Sequence, residues 1–445
     1  MSVDRVVSDS TTLGFEELAK FQVDGVKPKA VVVPETAEEL AAILKRANDE
    51  QVAVTPWGGG TMMSMGGIPK RVEVVLLLQK LNRVVEYLPE ELVVTAEAGI
   101  TLENLQATLA KNGQFLALDP PYASRATLGG IVAVNSFGPI CHLYGRVRDL
   151  LLGIRVANSD GSLTSFGGRV VKNVAGYDMK KLYVGSLGTL GVIAVTTFKL
   201  CPMPMFDATF LAAFKSLDDL AKASHEIVST CHSSIGIGPS AVEGLDPNSC
   251  AILACNSFDI PQDYVLALRV LAMTDGSLRE RIRELSGITS KHESKSAFSV
   301  EGAEHELLWR GIREYPQLSS GRFSVRCKVS TLISKVGEAM DAARKVSEKY
   351  RLEHSSVAHM GVGVLHVYLN SSDPDMLSKA VQELRTYVLG AGSGSSVVVE
   401  AAPASVKLKV DVWGPVRKDF FLMQGIKTRF DPIGILNPGR FIGGI

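Results

Sequence analysis

Three glycine-rich turns, each next to a predicted strand, constrain the fold of this 445-residue chain more than any other feature. The first is "TPWGGGT" at 55–61, the second is "TLGG" at 127–130, and the third, at 185–191, has glycine at every third position. Glycine costs chain entropy on folding, so such runs indicate left-handed turns or amides laid against a ligand. Together they predict one extended ligand lying across exposed backbone. The alternative is three unrelated surface loops.

The residues before the first turn have the pattern of an α/β unit. "AVVVP" at 30–34 predicts a strand, and 35–50 predicts an amphipathic helix in which Thr36 and Glu39 fit a capping box. A second strand leads into the glycines and a third is predicted at 72–78. This β–α–β–β unit would present backbone amides to a ligand. The glycine spacing is not G-x-G-x-x-G, so a nicotinamide-dinucleotide domain is not predicted.

Further along, 93–200 alternates strands with short helices. A helix with Leu102, Leu105 and Leu109 on its apolar face ends before Gly113, and an Asp160–Gly161 turn predicts a hairpin. From about 205 the pattern favours an antiparallel sheet with helices, in which "CAILACNSF" at 250–258 is predicted to be a strand.

Composition excludes several classes of protein. Lys+Arg and Asp+Glu are 47 each, so no net field attracts nucleic acid. The N-terminal residues lack the apolar core of a signal peptide, and no apolar run has the length of a membrane span. The six cysteines are scattered without CxxC spacing. We therefore expect a soluble, cytoplasmic protein with reduced thiols, no nucleic-acid partner, no transmembrane segment and no iron–sulfur cluster of its own.

Several segments, in this order, resemble the vanillyl-alcohol oxidase / para-cresol methylhydroxylase (PCMH) superfamily, and its glycolate oxidase and D-lactate dehydrogenase branch more closely. The segments are "VVVPETAEEL", "PWGGGT", "AEAGITLENL", "LDPPYASRATLGGIVAVNSFGP", "GRVRDLLLGIRVANSDGSL", "VVKNVAGYDMKKLYVGSLGTLGVI" and "FDPIGILNPGRF". The resemblance implies an α+β fold in which a PCMH-type FAD-binding domain of two α+β subdomains occupies 1–204. An antiparallel-sheet cap domain with helices would occupy 205–412, and 413–445 would return to the FAD domain.

The same resemblance implies which residues hold FAD. The first loop has Trp57 and Met62 but no histidine, where many relatives attach the flavin covalently, so non-covalent FAD is expected. The expected cofactor-binding residues are Pro56, Trp57, Gly58, Gly59, Gly60, Thr61, Pro120, Thr127, Leu128, Gly129, Gly130, Asn135, Ser136, Gly188, Thr189, Gly191, Val192, Ile193 and Asn437.

The cap would supply the chemistry on a 2-hydroxy acid. Catalytic relatives have a motif close to H-x-G-D-G-N-x-H and a later E-H-G, whose histidines and glutamate bind a metal. Here 359–366 is "HMGVGVLH", and Glu400 is followed by Ala401 instead of the histidine base. The resemblance implies His359, His366 and Glu400 as ligands of a divalent metal such as zinc, with both histidines as catalytic residues. The alternative is a pair of hydrogen-bonded histidines.

Arg326 is the predicted cation for the substrate carboxylate, because an arginine can bind it with two hydrogen bonds. The alternative for Arg326 is a solvated strand face. Leu187 stands where catalytic relatives usually have glutamate, which resembles the accessory flavin subunit of a multi-subunit glycolate oxidase.

Two functions follow. The first is an FAD-dependent oxidoreductase that oxidises glycolate or D-lactate and passes electrons to an iron–sulfur partner or quinone. The second is a non-catalytic FAD-binding subunit serving electron relay or assembly. Both place the chain in a hetero-oligomer with an iron–sulfur subunit, with a second flavin subunit as a further partner. Such partners could hold an otherwise cytoplasmic chain at the inner membrane.

Overall fold

The computed structural model describes Val3, Val6 and residues 17–169, 177–233, 238–256, 259–392 and 394–445. The chain forms two compact units. The first comprises Met1–Phe137, Arg146–Met203 and Pro415–Ile445, and the second comprises Gly138–Gly145 and Pro204–Gly414. The segment Gly138–Gly145 thus belongs to the second unit, which the expected boundaries did not include. Residues 170–176, the start of the segment "VVKNVAGYDMKKLYVGSLGTLGVI", lie outside the described residues.

The first unit contains a parallel sheet and an antiparallel sheet. The parallel sheet has the order β1-β3-β2, and the antiparallel sheet has the order β4-β5-β9-β7-β8, while β6 pairs with β10. The strands are β1 Ala30–Val32, β2 Val54–Trp57, β3 Val74–Leu77, β4 Val84–Leu88, β5 Val93–Glu97, β6 Gln114–Phe115, β7 Leu151–Ala157, β8 Leu163–Gly167, β9 Val192–Lys199 and β10 Cys201–Pro202.

The first helix of this unit begins after the predicted cap, Thr36. The helices of the unit are α1 Ala37–Asp49, α2 Leu102–Leu109, α3 Leu128–Val134, α4 Val147–Leu150 and α5 Lys180–Tyr183. At α1 the Thr36 hydroxyl accepts the Glu39 amide at 3.0 Å, but the Glu39 carboxylate accepts the amide of Glu35 instead of Thr36. Only half of the predicted capping box therefore forms.

The first glycine turn follows β2 as predicted, but no helix lies between it and β3. Within the described residues, β2 and β3 are parallel neighbours joined by 58–73 without a helix or strand. The glycines therefore lie in a long connection at the carboxyl end of β2, where chain amides can stay available to a ligand.

The second unit is built on an eight-stranded antiparallel sheet with the order β14-β11-β13-β12-β16-β17-β15-β18. Its strands are β11 Phe206–Phe214, β12 Ala241–Leu245, β13 Tyr264–Ala272, β14 Ser296–Val300, β15 Val325–Ser330, β16 Glu353–His359, β17 Val364–Asn370 and β18 Ser396–Ala401. The predicted antiparallel sheet with helices is confirmed for this half of the chain.

Helices pack on both faces of this sheet. They are α6 Leu217–Ser233, α7 Pro247–Asn256, α8 Asp275–Lys291, α9 Gly302–Arg313, α10 Tyr315–Leu318, α11 Val336–Tyr350, α12 Pro374–Gly390 and α13 Ala404–Lys407, with a further turn at Cys141–Tyr144. Apolar residues of α6, α8, α11 and α12 bury one face, and those of α7, α9 and α10 bury part of the other.

The strand predicted at 250–258 was wrong, because most of this run lies in α7 and residues 257–258 are outside the described part. A short apolar run does not distinguish a strand from a buried helix. The deciding signal was the cap: the Asp246 carboxylate accepts the Ser249 amide at 2.7 Å, and Cys250 and Leu253 then share one buried face.

The C-terminal segment returns to the first unit through α14, Phe420–Phe430, and a turn centred on Asp431. The buried Asp431 carboxylate accepts the amides of Gly434, Ile435 and Leu436 at 3.1, 3.0 and 2.8 Å and the Lys427 ammonium at 2.6 Å. The tail then pairs with β2, since the Val54 amide donates to Ile435 and the Asn437 amide donates to Val54, both at 2.8 Å.

Two features complete the fold. Single turns of 3₁₀-helix lie at Glu17–Phe21, Leu78–Lys80, Pro89–Glu91, Ala110–Asn112, Ile333–Lys335, Met360–Val362 and Ile442–Gly444. None of the helices in the described residues is both long and apolar enough to span a membrane.

We predict that Asp431→Ala lowers the free energy of unfolding by about 3 kcal/mol, because it removes the carboxylate that accepts three amides and neutralises the buried Lys427 ammonium. Denaturant unfolding measures the effect. Asp419→Ala is the matched control, since Asp419 is exposed and its side chain does not cap α14. Equal midpoints for the two variants would contradict the assigned role of Asp431.

Candidate functional site

The three glycine turns of the first unit line one cleft that encloses about 890 Å³, part of it open to solvent. Most of the expected cofactor residues line it: Pro56, Trp57, Gly58, Gly59, Gly60, Thr61, Thr127, Gly129, Gly130, Ser136, Gly188, Gly191, Val192, Ile193 and Asn437. The exceptions among the expected residues are Pro120, Leu128, Asn135 and Thr189. The structure therefore assembles one extended cleft from turns far apart in sequence.

The first loop offers unused hydrogen-bond donors to this cleft. Within the described part of the chain, the amides of Gly58, Gly59, Gly60 and Thr61 have no hydrogen-bond acceptor. Four such amides in succession form a concave donor surface of the kind that binds phosphate oxygens. The loop also curls tightly, since a Cβ on Gly60 would lie 2.7 Å from Trp57 Nε1 and its φ is +69°.

The second turn packs directly against the first loop. A Cβ on Gly59 would lie 1.7 Å from the Arg125 carbonyl oxygen, and a Cβ on Gly58 would lie 2.2 Å from Thr127 Oγ1. The amides of Leu128 and Gly129 already donate to Ile100 and Ala98, at 3.0 and 2.7 Å. These two amides therefore hold the turn in place and are not available to a ligand.

A strained residue of the third turn, Leu187, is hydrogen-bonded to a strained residue of the C-terminal tail, Asn437. Leu187 and Asn437 have φ of 52° and 46°, a region that side chains other than glycine rarely adopt, and Asn437 Nδ2 donates to the Leu187 carbonyl at 2.7 Å. Gly188 and Gly191 follow in the cleft wall. Thr189 does not, because its amide and hydroxyl both donate to Ser186, at 3.0 and 2.7 Å.

Local packing also explains the other exceptions. Leu128 is fully buried, and Asn135 lies in the left-handed cap position of α3, where its amide donates to Val132 at 3.2 Å. The neighbouring Pro121 lines the cleft in place of Pro120. Sequence reasoning missed the apolar lining, which consists of Met62, Met63, Leu78, Pro121, Ala126, Ile131, Ala133, Val134 and Leu187.

Arg440, also missed, is the cation of the cleft wall. It is 2% exposed, its guanidinium donates to the carbonyls of Met63 at 2.8 Å and of Met65, and it lies 3.6 Å from the Asp24 carboxylate. Burial lowers the pKa of Arg440 to about 10, against the opposing effect of Asp24, so the group stays charged at neutral pH. The motif "NPGR" in the tail was the signal for it.

These properties suit a dinucleotide cofactor with a flat ring system. The cleft combines unpaired amides, a buried positive charge and an apolar wall, which match a pyrophosphate and an aromatic ring. None of the described residues that line it is His, Cys or Tyr, so the lining offers no side chain of the kinds that attach flavin covalently.

The second unit carries a row of charged side chains, which we call the polar row: Glu243, His359, His366, Lys328, Arg326 and Glu400. These residues lie on five adjacent strands, β12, β16, β17, β15 and β18. Their sequence neighbours Val242, Ala358, Leu365, Val367, Cys327 and Val399 belong to the core on the opposite face. Because side chains alternate along a strand, the whole row points to the same face of the sheet.

The two histidines converge at the turn between β16 and β17. Their ring centroids are 5.3 Å apart, and Gly363 at φ +72° allows the chain to reverse between them. Gly361 is required by a close neighbour, since a Cβ there would lie 2.3 Å from Nδ1 of His142. His359 Nδ1 lies 2.8 Å from both carboxylate oxygens of Glu243, which sequence reasoning missed because Glu243 lies over a hundred residues away.

At the other end of the row, Glu400 lies at a β-bulge between β15 and β18. Its Oε2 is 3.1 Å from Arg326 Nε and 3.5 Å from His366 Nδ1, while its Oε1 is 3.5 Å from Lys328 Nζ. Burial alone would raise the pKa of Glu400, but Arg326, Lys328 and His366 hold it well below its usual range. Burial lowers the pKa of His366, so its imidazole is neutral at pH 7.

The expected metal site is not supported. Among the described residues, no group of three or more His, Cys, Asp or Glu side chains is arranged to hold a metal ion. The donor chemistry explains this, since Glu400 is already paired with two cations. A divalent ion about 4 Å from a protonated lysine would be repelled by roughly 8 kcal/mol at an effective dielectric of about 20.

Family comparisons agree with this division of the chain. The model of the FAD binding domain matches residues 28–167, and that of the C-terminal domain of FAD linked oxidases matches residues 203–394. The glycolate oxidase subunit GlcD of Bacillus subtilis is 28% identical over 430 residues, which cover 93% of this chain and 88% of that protein. The D-lactate dehydrogenase of Archaeoglobus fulgidus is 28% identical over 439 residues, covering 93% and 91%.

Solved structures show the same fold. p-Cresol methylhydroxylase with bound substrate superposes with a TM-score of 0.76 at 16% identity, covering 99% of this chain and 96% of that one. 4-Ethylphenol oxidase from Gulosibacter chungangensis gives 0.75 at 15% identity, with the same coverage. The predicted α+β, PCMH-type fold is therefore confirmed.

The fold, the cleft and the two domain matches define a flavoprotein that binds FAD. More closely, the chain is an FAD-linked oxidoreductase similar to enzymes of the glycolate oxidase and D-lactate dehydrogenase type. The predictions of the cofactor, the enzyme class and the family resemblance are confirmed.

We predict that Gly59→Ala lowers FAD affinity about tenfold or more, because a Cβ there overlaps the Arg125 carbonyl and overpacking costs about 1–3 kcal/mol. FAD per chain is counted after acid precipitation, which should release the flavin intact into the supernatant. Gly168→Ala is the control, since no atom lies within 4 Å of the added Cβ. Full FAD content in Gly59→Ala would refute the packing argument, and flavin retained in the pellet would refute non-covalent binding.

Proposed function

We propose that the chain oxidises a small 2-hydroxy acid such as glycolate or D-lactate, using non-covalent FAD held in the glycine-lined cleft. The observation that carries this proposal is the polar row, which combines two cations with a neutral histidine on one face of one sheet. Relatives named glycolate oxidase subunit and D-lactate dehydrogenase cover more than nine-tenths of the chain, which supports the same substrate class.

Each cofactor contact has a distinct role in this proposal. The amides of Gly58–Thr61 bind the pyrophosphate, and the guanidinium of Arg440 offsets negative charge in the cleft. Bound FAD supplies the two-electron acceptor for the hydrogen on the substrate α-carbon.

The polar row would bind and deprotonate the substrate. Arg326 holds the carboxylate, and neutral His366 accepts the proton of the α-hydroxyl group on Nε2 while Nδ1 faces Glu400. His359 acts as a positioning residue, because the Glu243 carboxylate at 2.8 Å fixes its ring beside that of His366. This assignment needs no side chain at Ala401, where catalytic relatives have a histidine.

The expected result for the isolated protein is loss of the visible absorbance of oxidised flavin when D-lactate or glycolate is added without oxygen. His366→Gln should slow this bleaching by about a hundredfold or more, as expected for loss of a general base, without changing FAD content. His225→Gln is the control, because His225 is exposed on α6. Bleaching at the wild-type rate in His366→Gln would rule out the proposed role of the base.

A wild-type chain that binds FAD but is not bleached by either acid would favour the second function, a non-catalytic FAD-binding subunit. Leu187 supports this alternative, since it occupies a strained position in the cleft where catalytic relatives usually have glutamate. Adding a second flavin subunit with an intact histidine motif should then restore bleaching.

We further propose that electrons leave this chain through an iron–sulfur partner or quinone. No disulfide joins the described cysteines Cys141, Cys201, Cys250, Cys255 and Cys327, and no cluster of possible metal ligands forms among the described residues. Affinity purification from native cells at low salt should therefore recover a cysteine-rich iron–sulfur chain. Recovery of a lone chain that is fully active with an artificial dye would refute this proposal, including attachment to the inner membrane through partners.

A further inference from the structure

We propose that Lys328 permanently supplies the positive charge that a bound metal ion was expected to supply beside Glu400 and His366. The site would then work as a metal-independent carboxylate-binding site. The inference deepens the proposed function and rests on it, since the anion it would bind is the substrate carboxylate. Lys328 carries this inference by its place in the polar row, between the residues expected to bind the metal.

The pairing of the strands fixes that place. Lys328 on β15 lies directly opposite His366 on β17 and opposite Val398 on β18, two residues before Glu400. The bulge at Arg326 and Cys327 shifts the register, so Glu400 lies between the positions opposite Lys328 and Arg326 rather than directly opposite Arg326. The ammonium nitrogen is 3.5 Å from Glu400 Oε1, and the lysine side chain is 20% exposed.

Both carboxylate oxygens of Glu400 are paired with a cation. Oε2 faces Arg326 Nε at 3.1 Å and Oε1 faces Lys328 Nζ at 3.5 Å. A metal ligand must direct a lone pair and its negative charge at the ion. Here that charge is shared between two fixed cations, and a third would meet repulsion from both.

The histidines do not remove the excess of positive charge around Glu400. His359 directs Nδ1 at Glu243, which is fully buried, so those two groups compensate each other. The rest of the row contains Arg326, Lys328 and Glu400, with two positive charges against one negative charge. A small anion completes this arrangement, whereas a divalent cation adds to the excess. The chemistry of the row therefore favours a carboxylate ligand.

Zinc titration of the full-length, FAD-loaded protein by calorimetry tests this directly. Wild type should show no stoichiometric Zn²⁺ site. Lys328→Met should bind Zn²⁺ at least tenfold more tightly than wild type, because Glu400, His366 and His359 then meet one cation fewer. Lys328→Arg keeps the charge and should behave as wild type. Lys345→Met is the control, because it breaks an exposed ion pair with Asp341 in the same unit.

Oxalate, a small dicarboxylate without an α-hydrogen, is the probe for the anion. Its affinity should fall at least tenfold in Lys328→Met and stay near wild type in Lys328→Arg and Lys345→Met, since a hydrogen bond to a charged group contributes about tenfold or more. Unchanged oxalate affinity in Lys328→Met would overturn the assignment of Lys328 to the anion.

Two other results would overturn the inference. One is stoichiometric metal in wild type that is lost in His366→Gln. The other is a Lys328→Met protein with native FAD content that gains no zinc affinity. Failure of the proposed function is distinguishable, because it is a wild-type protein that no 2-hydroxy acid reduces while the zinc titrations give the expected values.

Discussion

The flavin cleft depends on a contact between two backbone segments that leaves no space for a side chain. Gly58 and Gly59 lie so close to Thr127 and Arg125 that any Cβ would overlap them. This contact sets the curvature of the first loop, and the curvature keeps its successive amides away from other acceptors. The loop residues are half-buried, so water can hydrate these amides until an anion takes its place. The same glycines therefore provide both the fold of the cleft and its affinity for the cofactor.

The second unit forms its candidate site from charged side chains instead of backbone amides. One face of its sheet is covered by four long helices, and the other is covered only in part, which leaves a place for the polar row. Buried charges cost several kcal/mol unless they are paired. Here each charged group of the row has an oppositely charged neighbour, from Glu243 with His359 to Glu400 with Arg326 and Lys328, although two cations share the one carboxylate of Glu400. Rigid positions for charged groups are what selective binding of a small polar substrate requires.

Much of this could be predicted from sequence because it depends on local patterns. Glycine after a strand, helical periodicity with Thr36 as a cap, and the turn that joins His359 to His366 were all visible. The partners that come from distant strands were not. Glu243 and Lys328 stand in ordinary strand sequences, and only the order of the strands and the bulge at Arg326 place them beside the histidines. Likewise, nothing local marks Leu128 and Gly129 as already bonded.

This difference has a consequence for what a glycine motif can reveal about function. A cofactor held by backbone amides is recognised through the geometry of the backbone. A glycine motif that produces this geometry therefore predicts the same cofactor in other chains. A substrate held by side chains is recognised through the balance of charges, which one residue can alter. In this chain, the cation Lys328 beside Glu400 changes that balance from favouring a metal ion to favouring an anion. The fold therefore specifies FAD as the cofactor. The class of substrate has to be derived from the charges of the polar row.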